Sequence, residues 1–320
     1  MRWLVTGARG FVGAHLVAHL DAGRAGEIFG LVRPGSRGSA AGFEPVTADV
    51  LDAPALARVV AELRPDRIVH LAAQSSARES WRDPEGTLRT NLFGLLHLLE
   101  AVRLAGLGPR VLVVGSAEEY GAAPGTAEPL TEDTPLRPAS PYAVSKVAQG
   151  HLALQYALAH GLHVVRTRTF NHTGPGRGAG FAESSFARQI AEIETGRRPP
   201  QIAVGNLDAV RDFTDVRDVV RAYAALLEAG QPGEVYNVAS GQGYRIGDVL
   251  ERLLRLSSAR IEVVRDPALL RPVDVPYLVG DATRLRRATG WEPEIPLDRT
   301  LGDLLGAWRE RVAAEERVPS

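Results

Sequence analysis

The hydrophobic pattern of the first half of the chain alternates between two kinds of segment. Short runs of consecutive apolar residues predict strands that are buried on both faces of a parallel sheet. Longer stretches between them place apolar residues at helical spacing. The predicted strands cover residues 3–6, 28–32, 45–48, 67–71, 110–114 and 163–169. The predicted helices cover residues 11–22, 54–63, 86–105 and 142–160.

This alternation predicts βαβ units and therefore an α/β fold with a doubly wound parallel sheet. After Thr169 the alternation loosens, and turns that contain glycine and proline become frequent. We therefore expect a smaller α/β domain interleaved with late parts of the sheet. The predicted larger domain comprises residues 1–170 and about 205–245. The predicted smaller domain comprises about 171–204 and 246–320.

Composition narrows the class of protein without identifying it. The chain has 320 residues, of which 45% are hydrophobic and 23% charged, as is typical of a globular protein with a large core. A net charge of −1 gives no reason to expect a nucleic-acid or membrane partner. The absence of cysteine excludes disulfides, thiolate metal sites and a cysteine nucleophile, and the eight histidines show no metal-binding spacing. The N-terminus enters a strand pattern without a basic and then apolar leader, and no apolar run approaches membrane-spanning length, so we expect a cytoplasmic protein. The cysteine and histidine usage predicts no metal site.

A glycine-rich turn connects the first predicted strand to the first predicted helix. Gly7, Gly10 and Gly13 recur at intervals of three residues. Glycines in this context let the backbone approach a pyrophosphate at a helix N-terminus, so the turn predicts a dinucleotide site. The remaining residues of the turn that we expect to contact the cofactor are Arg9, Phe11 and Val12.

The end of the second strand bears on which dinucleotide is bound. An acid at this position would bind the adenosine ribose 2′-hydroxyl, but the chain has Arg33 there. Arg33 and Arg9 together favour a 2′-phosphate, and hence NADPH over NADH. The alternative is that both are solvated surface arginines. Further predicted cofactor contacts follow the third and fourth strands: Asp49, Val50, Leu71, Ala72 and Ala73.

Lys146 is the only lysine among the 37 lysine and arginine residues. It follows Tyr142 by four positions, which places both side chains on one face of a helix. An adjacent ammonium stabilises a phenolate, so we expect it to draw the pKa of Tyr142 toward neutrality. Ser116 follows the fifth strand, at the sheet edge where α/β folds bind ligands. The three residues predict a proton donor for reducing a carbonyl or oxidising an alcohol, although a single lysine can also be a stray surface residue.

The glycine turn, Ser116 and the Tyr142–Lys146 spacing together resemble the extended short-chain dehydrogenase/reductase family over essentially the whole chain. The resemblance implies a Rossmann-type domain followed by a sugar-nucleotide domain. It also implies that Ser116, Tyr142 and Lys146 are catalytic and that Lys146 binds the nicotinamide ribose. Ser75, Ser76 and Arg78 are expected to line the sugar pocket. The family's habit implies a homodimer formed through helices 86–105 and 142–160.

Three later segments indicate the sugar nucleotide. Asn171 matches the diphosphate-binding asparagine of this family. The segment from Gly205 to Asp212 resembles the GDP-sugar branch, in which Arg211 would bind phosphate. Arg271 and Asp274 match that branch's phosphate-binding arginine and guanine-binding acid. His172 and Arg177 correspond to cofactor-contacting positions in GDP-mannose dehydratases, although the usual arginine pair is here Gly176-Arg177.

The same segments most resemble the GDP-4-dehydro-6-deoxy-D-mannose reductases, which form GDP-D-rhamnose with NADPH or NADH. Glu118 is consistent with a second possible activity. It follows Ser116 by two residues, where GDP-mannose 4,6-dehydratases carry the base that moves the C5 proton. A dehydratase that uses Glu118 is therefore the alternative, and a non-catalytic NADP-binding regulatory protein is a remote one.

Overall fold

The computed structural model describes residues 1–36, 41–121, 128–270 and 273–316. The strands of this part of the chain are β1 (Arg2–Thr6), β2 (Glu27–Val32), β3 (Glu44–Thr47), β4 (Arg67–His70), β5 (Arg110–Ser116), β6 (Val164–Thr169), β7 (Asn171–Thr173), β8 (Gln201–Val204), β9 (Val210–Asp215), β10 (Val235–Val238), β11 (Gly243–Arg245), β12 (Glu262–Arg265) and β13 (Tyr277–Leu278). The α-helices are α1 (Phe11–Ala22), α2 (Ala53–Leu63), α3 (Ala77–Ser80), α4 (Pro84–Leu88), α5 (Gly94–Leu104), α6 (Pro141–His160), α7 (Ala182–Glu194), α8 (Val216–Ala229), α9 (Ile246–Arg255), α10 (Thr283–Thr289) and α11 (Leu297–Glu316).

Seven parallel strands form the central sheet in the order β10-β6-β5-β4-β1-β2-β3. The chain winds outward from β1 in both directions, which confirms the predicted doubly wound, Rossmann-type sheet. The six predicted strands are confirmed, with ends that differ by at most two residues. Strand β10 is the seventh member and comes from much later in the sequence.

Helices cover both faces of this sheet. Helices α1, α8 and α10 pack on one face around a core that includes Leu16, Tyr223 and Leu285. Helices α2, α5 and α6 pack on the other face around a second core that includes Val60 and Leu98. These side chains are almost fully buried, and burial of each contributes about 1.5–3 kcal/mol. Sheet and helices therefore fix the strand ends that form the site.

One predicted helix is divided into segments. Residues 86–105 form α4, a π-helical turn (Arg89–Phe93) and α5. The buried Asn91 lies in this turn, and its Oδ1 accepts from the backbone of Gln74 at 2.8 Å. Its Nδ2 donates to Oγ of Ser145 at 2.8 Å. The widened turn thus directs Asn91 toward the loop after β4 and toward α6, which apolar periodicity alone does not indicate.

The later part of the chain forms a second, mixed sheet. Strand β9 pairs in parallel with β7 and β13 and antiparallel with β11. A separate parallel pair joins β8 to β12. Helices α7, α9 and α11 surround a third hydrophobic core beside these strands. The segment 205–245 is shared between the sheets, because β9 lies in the second sheet and β10 in the central one. Within the described ranges, no helix has the length and apolar character required to cross a membrane.

Candidate active site

A cavity of about 830 Å³ runs along the carboxyl edge of the central sheet. Because parallel strands end at the same edge, the loops after β1, β2, β3, β4 and β5 converge on it. Most residues proposed from sequence line this cavity: Gly7, Arg9, Gly10, Phe11, Val12, Gly13, Arg33, Asp49, Val50, Leu71, Ala72, Ala73, Ser75, Ser76, Arg78, Ser116, Glu118, Tyr142, Lys146, Asn171, His172 and Arg177.

The glycine turn has no room for side chains. Gly7 has a φ of 73°, and a Cβ there would lie 3.0 Å from the backbone nitrogen of Ala72. A Cβ on Gly13 would lie 2.2 Å from the carbonyl oxygen of Gly7. The turn therefore packs directly against the fourth strand's loop, and α1 begins beside the cavity at Phe11. This close-packed turn at a helix N-terminus fits a dinucleotide pyrophosphate.

The adenosine end of the cavity has arginine and serine where an acid would otherwise lie. Arg9 Nη1 donates to the carbonyl oxygen of Ser36 at 2.8 Å and to its Oγ at 2.9 Å. Ser36 Oγ in turn donates to the carbonyl oxygen of Arg33 at 2.7 Å. A smaller cavity of about 440 Å³ adjoins Arg33, Ser36 and Asp49. A guanidinium held in place by a serine is suited to bind a phosphate on the 2′ position of the adenosine ribose.

Tyr142, Lys146 and Ser116 all line the cavity, and Ser116 hydrogen-bonds to Tyr142. Helix α6 begins just before Tyr142, where Oγ of Ser140 accepts from the backbone of Ala143 at 3.1 Å. Lys146 Nζ lies 6.0 Å from the centre of the Tyr142 ring. It donates to the carbonyl oxygen of Val114 at 2.9 Å, which ties α6 to β5.

Burial dominates the titration of these groups. It raises the pKa of Tyr142 to about 12, against the opposing effect of a hydrogen bond with Ser116. It lowers the pKa of Lys146 to about 8, while the charge of Glu119 acts in the opposite direction. We expected the pKa of Tyr142 to be drawn toward neutrality by Lys146, and that prediction is wrong for this structure, because burial outweighs the effect of the nearby charge. The phenol is protonated at neutral pH, which is the state that a proton donor requires.

The two adjacent glutamates have different surroundings. Glu118 is half-buried and lines the cavity. Glu119 is 3% exposed and lies beneath the loop, where its Oε1 accepts from the backbone N–H of Ser116 at 2.9 Å. Burial raises the pKa of Glu119. Only Glu118 of this pair lines the cavity where substrate would bind.

A stack of rings and a guanidinium closes one side of the cavity near the glycine turn. Phe11 stacks on His172 with ring centres 6.1 Å apart. The Arg177 guanidinium lies 5.1 Å from the centre of Phe11 and 3.3 Å from that of Phe181. Burial, and then the charge of Arg177, lower the pKa of His172 to about 3, so its ring is neutral. His172 and Arg177 thus lie together in spite of the altered arginine pair.

The proposed guanine-binding residues lie outside the lining of this cavity. Arg211 is buried, and its Nη2 lies 3.1 Å from Oδ1 of Asp274. Asn206 Nδ2 donates to the other oxygen of Asp274. The structure therefore brings Arg211 and Asp274 together, but neither lines the cavity. Arg271 falls outside the described residues.

Several lining residues were not identified from the sequence. Ser36, Phe181 and Tyr223 all line the cavity. Phe181 precedes α7, and the turn between Arg177 and Phe181 brings the guanidinium over its ring. Tyr223 comes from α8, and its hydroxyl bonds to Thr169 Oγ1 at 2.8 Å. No sequence signal places Tyr223 there, because α8 reaches the cavity only through the packing of distant elements.

The sheet, the glycine turn and the tyrosine–lysine–serine set define a short-chain dehydrogenase/reductase of the extended type. The chain belongs to the family described as GDP-mannose 4,6 dehydratase, whose sequence model matches residues 4–304. This match covers both sheets.

Individual relatives agree with this family. The chain is 39% identical to a GDP-6-deoxy-D-mannose reductase of Pseudomonas aeruginosa over 98% of this chain and 99% of the relative. It is 30% identical to GDP-mannose 4,6 dehydratase 2 of Arabidopsis thaliana over 98% and 89% of the two chains. Among solved structures, RMD from Pseudomonas aeruginosa complexed with NADPH superposes with a TM-score of 0.86, at 38% identity and over 97% and 99% of the chains. A Thermus thermophilus UDP-glucose 4-epimerase complexed with NAD gives a TM-score of 0.85, at 29% identity and over 97% and 99%.

Proposed function

We propose that the protein reduces the C4 ketone of GDP-4-dehydro-6-deoxy-D-mannose to GDP-D-rhamnose with NADPH. The observation that carries this proposal is the meeting of Ser116, Tyr142 and Lys146 beside the glycine turn in one cavity. The near-full-length similarity to a GDP-6-deoxy-D-mannose reductase supports the choice of substrate. NADH is the alternative reductant. The contact of Arg9 with Ser36 supports NADPH, because it places a guanidinium at the adenosine end of the cavity.

The chain's own residues supply the proton and the orientation. Tyr142, protonated at neutral pH, donates its phenolic proton to the oxygen at C4. Ser116 orients that oxygen through its hydroxyl. Lys146 stabilises the phenolate that remains on Tyr142, because its ammonium lies close by in a buried site. When bound, a reduced nicotinamide would supply the hydride to C4.

The remaining site assignments form part of the proposal. Residues of the glycine turn, Arg33, Asp49, Val50 and the Leu71–Ala73 loop would hold the dinucleotide, together with His172 and Arg177. Ser75, Ser76, Arg78 and Asn171 would contact the sugar and diphosphate. Arg211, Arg271 and Asp274 would bind the GDP moiety. Most of these cofactor contacts lie in the proposed larger domain (1–170 with about 205–245), and Arg271 and Asp274 lie in the proposed smaller one (about 171–204 and 246–320). His172, Arg177 and Arg211 cross this division, since β9 lies in the second sheet.

Glu118 supports a second candidate function, the elimination of water from GDP-mannose. Its side chain lines the same cavity two residues after Ser116, the place where a base for the C5 proton would be needed. The family model and the Arabidopsis relative both carry the dehydratase name. The reductase remains the better-supported function, because the GDP-6-deoxy-D-mannose reductase is more similar, at 39% against 30% identity.

Product analysis separates the two functions. The purified protein is given GDP-mannose alone, and separately the 4-keto-6-deoxy intermediate with NADPH or NADH, and the products are identified by NMR. Oxidation of the reductant only with the intermediate supports the reductase. Formation of the ketone from GDP-mannose without added reductant identifies a dehydratase. Binding of NADPH with no turnover of either sugar nucleotide would refute both GDP-sugar functions and favour the non-catalytic alternative.

A pair of tyrosine variants tests the proton donor in the same assay. Tyr142→Phe should lower kcat by about 100- to 10,000-fold, as expected for loss of a general acid. Tyr156→Phe is the matched control, because Tyr156 lies on the same helix but bonds to Glu100, away from the cavity. Equal activities of the two variants would contradict the role of Tyr142.

We also propose a cytoplasmic homodimer. Four apolar side chains are exposed on the π-helical turn and on helices α5 and α6, and these surfaces are where the second copy would pack: Phe93, Leu104, Val144 and Leu158. Sedimentation of the protein tests this assembly. Val144→Glu should shift a dimer toward monomer, because a charge in an apolar interface opposes burial. A monomeric wild-type protein would refute the proposal.

A further inference from the structure

Gln149 continues the face of α6 that carries the catalytic pair. Tyr142, Lys146 and Gln149 lie at positions i, i+4 and i+7 of the helix, which places them in one row. Gln149 is 1% exposed, and its Oε1 accepts from Lys146 Nζ at 2.8 Å. The carbonyl oxygen of Val114 on β5 accepts from the same nitrogen at 2.9 Å.

The two acceptors determine how the ammonium is oriented. A lysine ammonium has three N–H donors and no acceptor. One donor is directed to α6 by Gln149 and another to β5 by Val114. Because these acceptors lie on different elements, they fix the rotation of the group about its last bond. A single donor then remains, and Lys146 lines the cavity.

The amide of Gln149 is held in one orientation for this contact. Only the amide oxygen can face an ammonium, because the amide nitrogen is itself a donor. Nε2 is left buried without a hydrogen-bond partner among the described residues. An unpartnered buried donor destabilises a fold, so an apolar residue would fill this space more favourably. What a glutamine provides at this position, and an apolar residue cannot, is an oxygen that accepts a hydrogen bond from Lys146.

We propose that Gln149 is a positioning residue for Lys146, holding its ammonium so that its one remaining donor points toward the bound cofactor. This inference rests on the proposed function for its effect on turnover. The groups that face Lys146 come from three elements. Glu119, on the turn after β5, attracts its charge, His70 on β4 is neutral, and Tyr142 lies on α6 itself. Gln149 therefore orients the ammonium without adding a second negative charge.

A single NMR signal can test the contact without cofactor. Because Lys146 is the only lysine, protein labelled with ¹³Cε-lysine gives one side-chain resonance whose shift follows its protonation. Gln149→Met removes an acceptor that favours the charged ammonium of Lys146. The titration midpoint of Lys146 should therefore be about one pH unit lower in this variant than in wild type. Gln149→Glu adds a negative charge and should raise the midpoint. This second variant keeps the test decisive if Gln149→Met does not fold.

The matched control is Gln189→Met. Gln189 is also a buried glutamine, but it lies on α7 and bonds to the backbone of Ala203 on β8, and not to Lys146. The Gln189→Met substitution should leave the titration midpoint of Lys146 unchanged. A Lys146 midpoint in Gln149→Met or Gln149→Glu that equals that of wild type would overturn the proposal.

Cofactor affinity provides the second readout. Gln149→Met should weaken NADPH binding about tenfold by fluorescence titration and lower kcat, whereas Gln189→Met should change neither by more than about twofold. An unaltered NADPH affinity in Gln149→Met would also count against the proposal. If wild-type protein shows no reduction of the ketone, the proposed function fails, but the Lys146 titration still decides the role of Gln149.

Discussion

Glu119 and Arg168 form an ion pair inside the protein, with 3.1 Å between Oε2 and Nε, directly behind Ser116. Their side chains are 4% and 8% exposed. The other carboxylate oxygen of Glu119 accepts from the backbone N–H of Ser116. Arg168 on β6 therefore fixes the loop that positions Ser116, even though neither charged group lines the cavity.

Breaking this pair should destabilise the fold. Arg168→Met leaves the Glu119 carboxylate buried without its counter-charge, and we expect the free energy of unfolding to fall by about 3–5 kcal/mol. Urea denaturation measures the change. Arg82→Met is the control, because Arg82 pairs with Glu79 on the surface and should lose only about 0–1 kcal/mol. Similar losses in both variants would show that the buried pair contributes no more than an exposed one.

The buried His70 should make stability depend on pH. Burial, followed by the charge of Lys146, lowers the pKa of His70 from 6.5 to about 3. The folded pKa is below the unfolded value, so the stability from the neutral ring is complete above pH 6.5 and is lost as pH falls toward 3. Between pH 7 and pH 5 this loss should be about 2 kcal/mol.

A histidine variant isolates that contribution. Between pH 7 and pH 5, the free energy of unfolding of His70→Gln should fall by about 2 kcal/mol less than that of wild type. Urea denaturation at each pH measures both values. His151→Gln, at an exposed position, should follow the wild-type pH dependence. The assignment to His70 is refuted if its variant retains the full pH dependence of the wild type.

Lys146→Arg tests whether charge alone is sufficient. A guanidinium keeps the charge but is larger and planar, and Lys146 is 4% exposed between Val114 and Gln149. We expect kcat to fall about 100-fold or more, as followed by the loss of NADPH absorbance. Arg58→Lys exchanges the same two residue types at an exposed position and should remain near wild type. Near wild-type turnover of Lys146→Arg would show that Lys146 has no specific role in catalysis.

Arg9→Ala tests the choice of dinucleotide. Loss of the guanidinium that bonds to Ser36 should weaken NADPH binding by about tenfold or more, because hydrogen bonds to charged groups contribute about 1.5–3 kcal/mol. NADH lacks the 2′-phosphate, so its affinity should change far less. Fluorescence titration of both dinucleotides checks this, with the exposed Arg58→Ala as control. Equal losses for NADPH and NADH would remove Arg9 from the phosphate site.

The central sheet could be predicted from sequence because its strands are buried on both faces. Such strands appear as consecutive apolar residues, and their ends point to the cavity by topology alone. The sequence therefore predicts that Gly7 and Ser116 lie at this edge, and both line the cavity. The second sheet carries no comparable pattern, since β7, β11 and β13 have two or three residues each.

Contacts that depend on packing could not be predicted from sequence. Glu119 follows Ser116 at the spacing of a capping box, and the structure has both of its hydrogen bonds. This local contact is therefore visible in the sequence as the Ser116–Glu119 spacing. The ion-pair partner of Glu119, Arg168, lies 49 positions away, and only the pairing of β5 with β6 brings the two together. The pKa of Tyr142 was predicted in the wrong direction, because sequence spacing shows the nearby charge but not the burial that outweighs it.

Strand β10 joins the central sheet late in the sequence, so the edge of β6 stays unpaired during part of translation. Strand β6 ends at Thr169, and its sheet neighbour ends at Val238. About 70 residues must therefore be translated before that edge is covered, which takes roughly 4–14 s at the usual rates of synthesis. During this interval the nascent chain presents an unpaired strand edge, the kind of surface that recruits other chains. Release of a chain truncated after β6 should therefore yield an aggregation-prone fragment.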